Sequence, residues 1–303
     1  MQVYYKRIIE GITTPAIIHN SSYFLIDMPI YEDGSIDCWE RIELDEVFEK
    51  LQKGWLVTSV PDGKNLSVHG LGAFCIKTAR WNHTHKSYVK YLHDVVKSMN
   101  GKMTGLFKKT EEQKKKWASN HVSWGAKGTP YRISGNFGYD MIDGCSTKMF
   151  MKKNGEYYLV NITGFADGTY QIENTEGIVT AQEITDMIEQ KILVCSPPSN
   201  VPVHINDFGT IEVAEVYWAA EPSEKLKEIL DFPNKAGKKE TAHDHCRKIY
   251  HSYLEYPNET TRDMLREAYE AVPEHERMYL GDMDSKDSDY WRILYEPDVK
   301  REV

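Results

Sequence analysis

The chain has 303 residues, 37 Lys+Arg against 46 Asp+Glu for a formal net charge of −9, and 41% hydrophobic and 12% aromatic residues. That composition excludes a disordered, collagenous or low-complexity chain, because apolar and aromatic side chains are plentiful enough to build cores. At about 100–200 residues per domain the length predicts two compact units. The acidic balance argues against a general binder of nucleic-acid phosphates and suits a partner that is itself basic.

The first residues, Met1–Gly11, read MQVYYKRIIEG and carry no continuous apolar run of the signal-peptide kind. No stretch approaches the roughly 18 apolar residues of a membrane-spanning helix. The five cysteines, Cys38, Cys75, Cys145, Cys195 and Cys246, are odd in number, widely spaced and without a C-x-x-C pair. That usage predicts free thiols and a cytoplasmic protein.

An internal repeat organises the chain. Tyr23–Cys38 reads YFLIDMPIYEDGSIDC and Tyr157–Ile172 reads YYLVNITGFADGTYQI, so that Tyr23, Leu25 and Asp33-Gly34 meet Tyr157, Leu159 and Asp167-Gly168 at a spacing of 134. Further on, Leu56, Pro61, Gly72 and Trp81 meet Leu193, Pro198, Gly209 and Trp218 at a spacing of 137. A fixed-spacing match with one small insertion reads as duplication of one structural unit.

In chain order, each copy predicts a β-hairpin, a short helix, a strand and a small meander. The Asp-Gly pairs supply positive-φ hairpin turns. Leu44, Val47, Phe48 and Leu51 form the apolar stripe of the first short helix, and Ile184, Met187 and Ile188 that of the second. Trp81 and Trp218 are expected in equivalent core positions. A longer helix follows each copy, carrying Tyr88, Tyr91, Leu92, Val95, Val96 and Met99 in one and Leu226, Ile229 and Leu230 in the other. From about Lys238 the chain turns helical again. Cys246, Ile249, Tyr250, Tyr253 and Leu254 share one stripe, Thr260 or Thr261 can cap a second helix carrying Met264, Leu265, Ala268 and Tyr269, and Pro273 ends it. The expected fold is α+β, two tandem copies of a ββαββ-type unit plus a helical acidic C-terminal region. The expected parts are a first unit with its trailing helix over 1–101, a basic then Gly-rich connector over 102–148, a second unit over 149–232 and the helical region over 233–303. Lys108, Lys109 and Lys114–Lys116 read as a solvated run in that connector.

The chemistry-bearing residues are sparse. The repeat retains chiefly Tyr, Asp-Gly, Pro, Gly and Trp, which are turn and core residues, and no His or Cys stands at both equivalent places. His243, His245 and Cys246 are close in sequence, but the spacing lacks the second paired set of a zinc site, and His83 with His85 need not supply it. The segment Asp282–Asp289 fails the EF-hand pattern, with Lys286 at a ligand position, Asp287 in place of the Gly and Ile293 in place of the final Glu. No metal and no cofactor is therefore expected. Charge asymmetry carries more weight. Between Glu255 and Val303 stand fourteen Asp/Glu against seven Lys/Arg, interleaved with Tyr279, Tyr290, Trp291 and Tyr295. Aromatic anchors ringed by charge suit protein recognition, so Asp282, Asp284, Asp287, Asp289, Tyr290 and Trp291 are the candidate partner-binding residues.

The run Pro273–Asp287, PEHERMYLGDMDSKD, together with the duplicated segments Tyr23–Trp81 and Tyr157–Trp218, resembles poorly characterised bacterial and prophage proteins of immunity or anti-defence type. In length and acidity the chain is similar to a Gabija anti-defence inhibitor of phages. No functional residue carries over from that resemblance. It implies a non-catalytic protein that binds and inhibits another protein, a nuclease or a defence effector with a basic surface, without contact to membrane or nucleic acid. The alternatives from other classes are a metal-dependent hydrolase using the Asp282–Asp289 carboxylates and a self-assembling structural homo-oligomer.

Overall fold

The computed structural model describes residues 9–120, 130–134, 140–281 and 288–299. The fold is α+β, and the duplication is visible element by element. In the first copy β1 (Gly11–Asn20) and β2 (Ser22–Tyr31) form a hairpin, followed by β3 (Ser35–Asp37), β4 (Arg41–Glu43), α1 (Glu46–Gln52), β5 (Leu56–Val57), β6 (Asn65–Val68), β7 (Gly72–Trp81) and α2 (His85–Met99). After α3 (Glu111–Asn120) and β8 (Tyr131–Ser134), the second copy repeats the series except for β4, in whose place stands a single bridge of Val179 to Tyr170. It runs β9 (Asp140–Lys153), β10 (Glu156–Phe165), β11 (Tyr170–Ile172), α4 (Ala181–Glu189), β12 (Leu193–Val194), β13 (Pro202–Ile205), β14 (Gly209–Ala219) and α5 (Pro222–Ala236). Among the described residues four more helices follow: α6 (Ala242–Glu255), α7 (Glu259–Ala271), α8 (Glu274–Arg277) and α9 (Ser288–Tyr295).

The pairing registers repeat as well as the elements. Tyr23, Phe24 and Leu25 of β2 run parallel to Leu66, Ser67 and Val68 of β6; Tyr157, Tyr158 and Leu159 of β10 run parallel to Val203, His204 and Ile205 of β13. Ile17 and Ile18 of β1 pair with Val57 and Leu56, and Phe150 and Met151 of β9 pair with Val194 and Leu193. The last match puts β1 and β9 at a spacing of 133 rather than 134. The reason is the hairpin turn. Ser21 alone, at φ 59°, joins β1 to β2, whereas the pair Asn154-Gly155, at φ 54° and 85°, turns β9 into β10. Consecutive positive φ values at Asn-Gly are the type I′ turn whose twist matches flanking strands.

Contacts divide the chain into two compact units, one of Met1–Gly128, Lys152–Leu159 and Ser196–Ala219, the other of Thr129–Met151, Val160–Cys195 and Ala220–Val303. In the first unit the strands run β5-β1-β2-β6-β7-β14-β13, ending on the opening residues of β10. The β7–β14 pair relates the copies by a local two-fold, since Gly72 faces Ala219 and Gly209 faces Trp81 across one antiparallel ladder. This close crossing explains why both glycines are retained. A Cβ on Gly72 would stand 2.5 Å from the Trp218 carbonyl oxygen, and one on Gly209 would stand 2.7 Å from that of Arg80. The unit's core is lined by Ile17, Ile18, Leu25, Met28, Phe74, Ile76, Tyr88 and Leu92, all at most 2% exposed. In the second unit β12 pairs with β9, β8 with β9, and β11 with β10, and Phe150, Ile162, Tyr170, Ile184 and Ile229 are buried.

Several expectations hold and several need correction. Gly34 and Gly168 sit in tight turns at φ 74° and 84°, and the Asp33 and Asp167 carboxylates accept the following Ser35 and Thr169 N–H at 2.9 and 3.2 Å. Trp81 and Trp218 occupy equivalent strand ends, but neither is a core residue: Trp218 is 44% exposed, and Trp81 is half-buried with its ring edge-on to Phe208 at 5.8 Å. The second copy begins at β9, not at 149, since Asp140–Thr147 already belongs to a strand. The basic run is not a free connector. Lys109 is buried, its ammonium 2.7 Å from the Glu46 carboxylate and its backbone N–H donating to Glu43 at 2.8 Å, while Lys108 pairs with Glu43 and Asp45. Burial alone would push the Glu43 carboxyl up, but those N–H and ammonium donors outweigh it and hold the group below its usual range. Leu230 is exposed, and the cap of α7 is Asn258, whose side chain accepts the Thr261 N–H at 3.0 Å.

Candidate partner-binding site

The acidic C-terminal helices build a core of their own. Cys246 of α6, Leu265, Ala268 and Tyr269 of α7, Val272, Leu280, and Tyr290, Ile293 and Leu294 of α9 pack together, with Ile249, Tyr250 and Tyr253 against them. Helix α6 starts where Thr241 accepts the Asp244 N–H and the Asp244 carboxylate accepts the Thr241 N–H in return. The Thr241 hydroxyl, donating to the Asp244 carboxylate at 2.7 Å, and then the Thr241 N–H hold that carboxyl below its usual range. The i, i+3, i+4 set Tyr290, Ile293 and Leu294 turns one face of α9 inward.

This places the expected binding residues differently. Tyr290 is 2% exposed and stacks on Tyr250 with ring centroids 4.3 Å apart, so it holds α9 onto the module and is not a partner contact. Asp289 lies 3.5 Å from Arg292 of its own helix. Asp282, Asp284 and Asp287 lie outside the described residues. Trp291 is 52% exposed and stands beside Tyr295, ring centroids 4.6 Å apart. The Tyr295 hydroxyl donates to Glu270 at 3.2 Å, and burial followed by that carboxylate raises its pKa. The surface presented is a tilted aromatic pair, its ring planes 47° apart, with the Glu270 carboxylate bonded at its edge. The sequence marks Tyr295 as one of the aromatics of the acidic segment but does not place it among the candidate binding residues; its four-residue spacing from Trp291 is the signal that pairs the two.

The histidine candidates do not converge. His243 Nε2 bonds the Tyr279 carbonyl oxygen at 3.0 Å, His245 faces Glu240, and Cys246 is buried in the module core. His83 bonds the Asp207 carbonyl oxygen at 2.7 Å, and the exposed His85 opens α2. The five cysteines are free, and burial pushes the Cys38 and Cys246 thiols up to about 12 and Cys195 up to about 11. Such thiols stay protonated and make poor nucleophiles or ligands near neutral pH.

A second polar group is not legible in the sequence. Lys225 of α5 is 1% exposed, and its ammonium donates to Thr147 Oγ1 at 2.9 Å and Glu228 Oε2 at 2.7 Å. Glu228, His275 and Glu276 also bring three potential metal-donor atoms within 4.8 Å of one another. Both carboxylates are already neutralised, Glu228 by Lys225 and Glu276 by Lys235 at 3.4 Å. A divalent ion would have to displace both ammonium groups, which makes the trio a poor cation site.

With the geometry in place, the chain can be set against known families. The family described as Domain of unknown function (DUF7638) matches residues 1–103 and 132–238, one stretch for each copy. The chain belongs to the DUF7638 family. A second family, Domain of unknown function (DUF7639), matches residues 241–302, the four-helix region with its separate core. The second DUF7638 stretch takes in the whole of β9, where the second copy begins, and the DUF7639 boundary at 241 falls on the α6 cap. No curated protein and no solved structure matches the chain. Among the described residues, no helix is long and apolar enough to cross a membrane.

Proposed function

We propose that the chain is a non-catalytic cytoplasmic protein that binds and inhibits another protein through its C-terminal module, with the duplicated part as scaffold. The observation that carries this is the exposed Trp291–Tyr295 pair on a strongly acidic module. Trp and Tyr supply most of the binding energy at protein interfaces when a ring seats in a partner's pocket. Surrounding carboxylates steer a basic partner and fix its register. A basic protein surface that normally grips nucleic acid, as in a nuclease or defence effector, has the matching chemistry, and the resemblance to immunity and anti-defence proteins points to the same class.

The test is retention of one defined partner by the full chain. Trp291→Ala should weaken its binding by a factor of about ten to a few hundred, the usual cost of truncating an aromatic anchor. The melting temperature should stay within about 2 °C, because the ring is half in solvent. Unchanged binding by a folded Trp291→Ala, Tyr295→Ala double variant would refute the reading.

A further inference from the structure

The core of the C-terminal module is self-contained, its described members all lying between Ala242 and Leu294. α5 meets that module through a row of charged side chains. Glu224 Oε2 accepts the Glu274 backbone N–H at 3.0 Å and lies 3.6 Å from the Arg277 guanidinium. Lys227 donates to the Glu270 carbonyl oxygen at 2.8 Å. Glu228 lies 3.7 Å from His275 Nε2, Asp231 accepts the Ala242 N–H at 3.1 Å, and Lys235 lies 3.4 Å from Glu276.

These residues recur every three or four positions and so form one stripe along α5, beside the face carrying Ile229, Phe232 and Ala236 into the core. At the repeat spacing the same stripe of α2 holds Ser87, Lys90, Tyr91, Asp94 and Ser98, where Lys90 pairs with Asp94 of its own helix. The stripe that grips a second module is therefore a property of the second copy. Its ion pairs are partly solvent-exposed, with Lys235 53% and Glu276 25% exposed at the side chain. Exposed pairs are screened once the Debye length falls from about 10 Å at 0.1 M salt to about 3 Å at 1 M. Polar contacts between separate cores favour relative movement.

We propose that the α5 stripe and α8 form an electrostatic latch that docks the DUF7639 module on the second DUF7638 copy and releases it at raised ionic strength, with both modules remaining folded. Each of the two has its own buried apolar residues, so release leaves both cores intact. The backbone bonds of Glu274 to Glu224 and of Ala242 to Asp231 are formed only in the docked arrangement, and they make the amides of α8 and of the α6 start reporters of the latch.

Hydrogen–deuterium exchange on the full chain decides this. Raising NaCl from about 0.05 M to about 0.5 M should speed exchange across residues 273–281 by about tenfold, with the β7 and β14 amides unchanged. Lys235→Glu should produce the same local opening at low salt, and the charge swap Lys235→Glu with Glu276→Lys should restore protection. The proposal is overturned if residues 273–281 exchange at one rate in both salts. It is equally overturned if the opening spreads to the β7 and β14 amides, or if a folded swap variant stays open. Should Lys235→Glu fail to fold, the salt series on the unaltered chain separates these outcomes by itself.

Discussion

The two copies share their strands, registers and turns and differ at the centre of their last helix. In the first, Tyr88 is fully buried, donates to the Pro15 carbonyl oxygen at 3.1 Å, and packs with Tyr91, His83 and Phe208. In the second, the positions of Tyr88 and Tyr91 are taken by Lys225 and Glu228, a buried ion pair bonded to Thr147. An aromatic lock needs one hydrogen bond to satisfy its hydroxyl, and burying its rings stabilises the copy outright. A buried ion pair recovers roughly what its desolvation costs. The second copy thus carries charge where the first carries aromatic rings, on the helix that also meets the C-terminal module. The difference teaches that equivalent helices of one duplicated fold are held by different chemistry, an aromatic lock in one and a buried ion pair in the other.

The sharpest way to break that comparison is to remove one partner of the pair. Lys225→Met should destabilise the chain by about 3–5 kcal/mol, since it strands a buried carboxylate, whereas Lys225→Met with Glu228→Leu should come within about 1 kcal/mol of the parent or exceed it. Urea unfolding of the full chain checks both, and equal losses would show that the pair is not the buried element described. A smaller effect is expected at the local two-fold. Gly72→Ala and Gly209→Ala should each cost about 1–3 kcal/mol by forcing β7 and β14 apart, and they should do so alike. Thermal melts showing one substitution tolerated and the other not would break the reciprocity. Smaller still is the difference between α1 and α4. Glu46 and Glu183 each accept the backbone N–H three residues back, at 2.8 and 2.7 Å, but Thr180 also caps α4 with its hydroxyl while Asp45 makes no such bond. Thr180→Ala should cost about 1 kcal/mol and Asp45→Ala a few tenths at most. Similar melting shifts for the two would contradict the assigned caps.

What the sequence could and could not reveal follows from the same contrast. The Asp-Gly turns are legible because a positive φ is a local demand that glycine meets on its own. The duplication is legible because the residues retained are those that local geometry dictates, Gly72 and Gly209 among them. The start of the second copy is not, since Asp140–Gly144 lacks the alternation that marks a strand. Lys225 and Glu228 stay hidden because a repeat is recognised by the residues its copies share, and these two are informative where the copies differ. Tyr290 looks like a contact in the sequence because three aromatics stand close together in α9; the spacing of Tyr290, Ile293 and Leu294 marks the inward face and leaves Trp291 and Tyr295 outside.

The central claim is that recognition belongs to the C-terminal module and the duplicated body is its scaffold. Among the described residues the duplicated body exposes Trp39 at 42% and Trp218 at 44%, and the C-terminal module exposes Trp291 at 52%. The direct measurement is partner affinity for Trp218→Ala and Trp291→Ala in otherwise unaltered full chains, each shown to be folded by its melt. The account predicts that Trp291→Ala loses about tenfold or more in affinity while Trp218→Ala stays within about twofold. Loss at Trp218 with binding intact at Trp291 would place recognition on the duplicated body and contradict it.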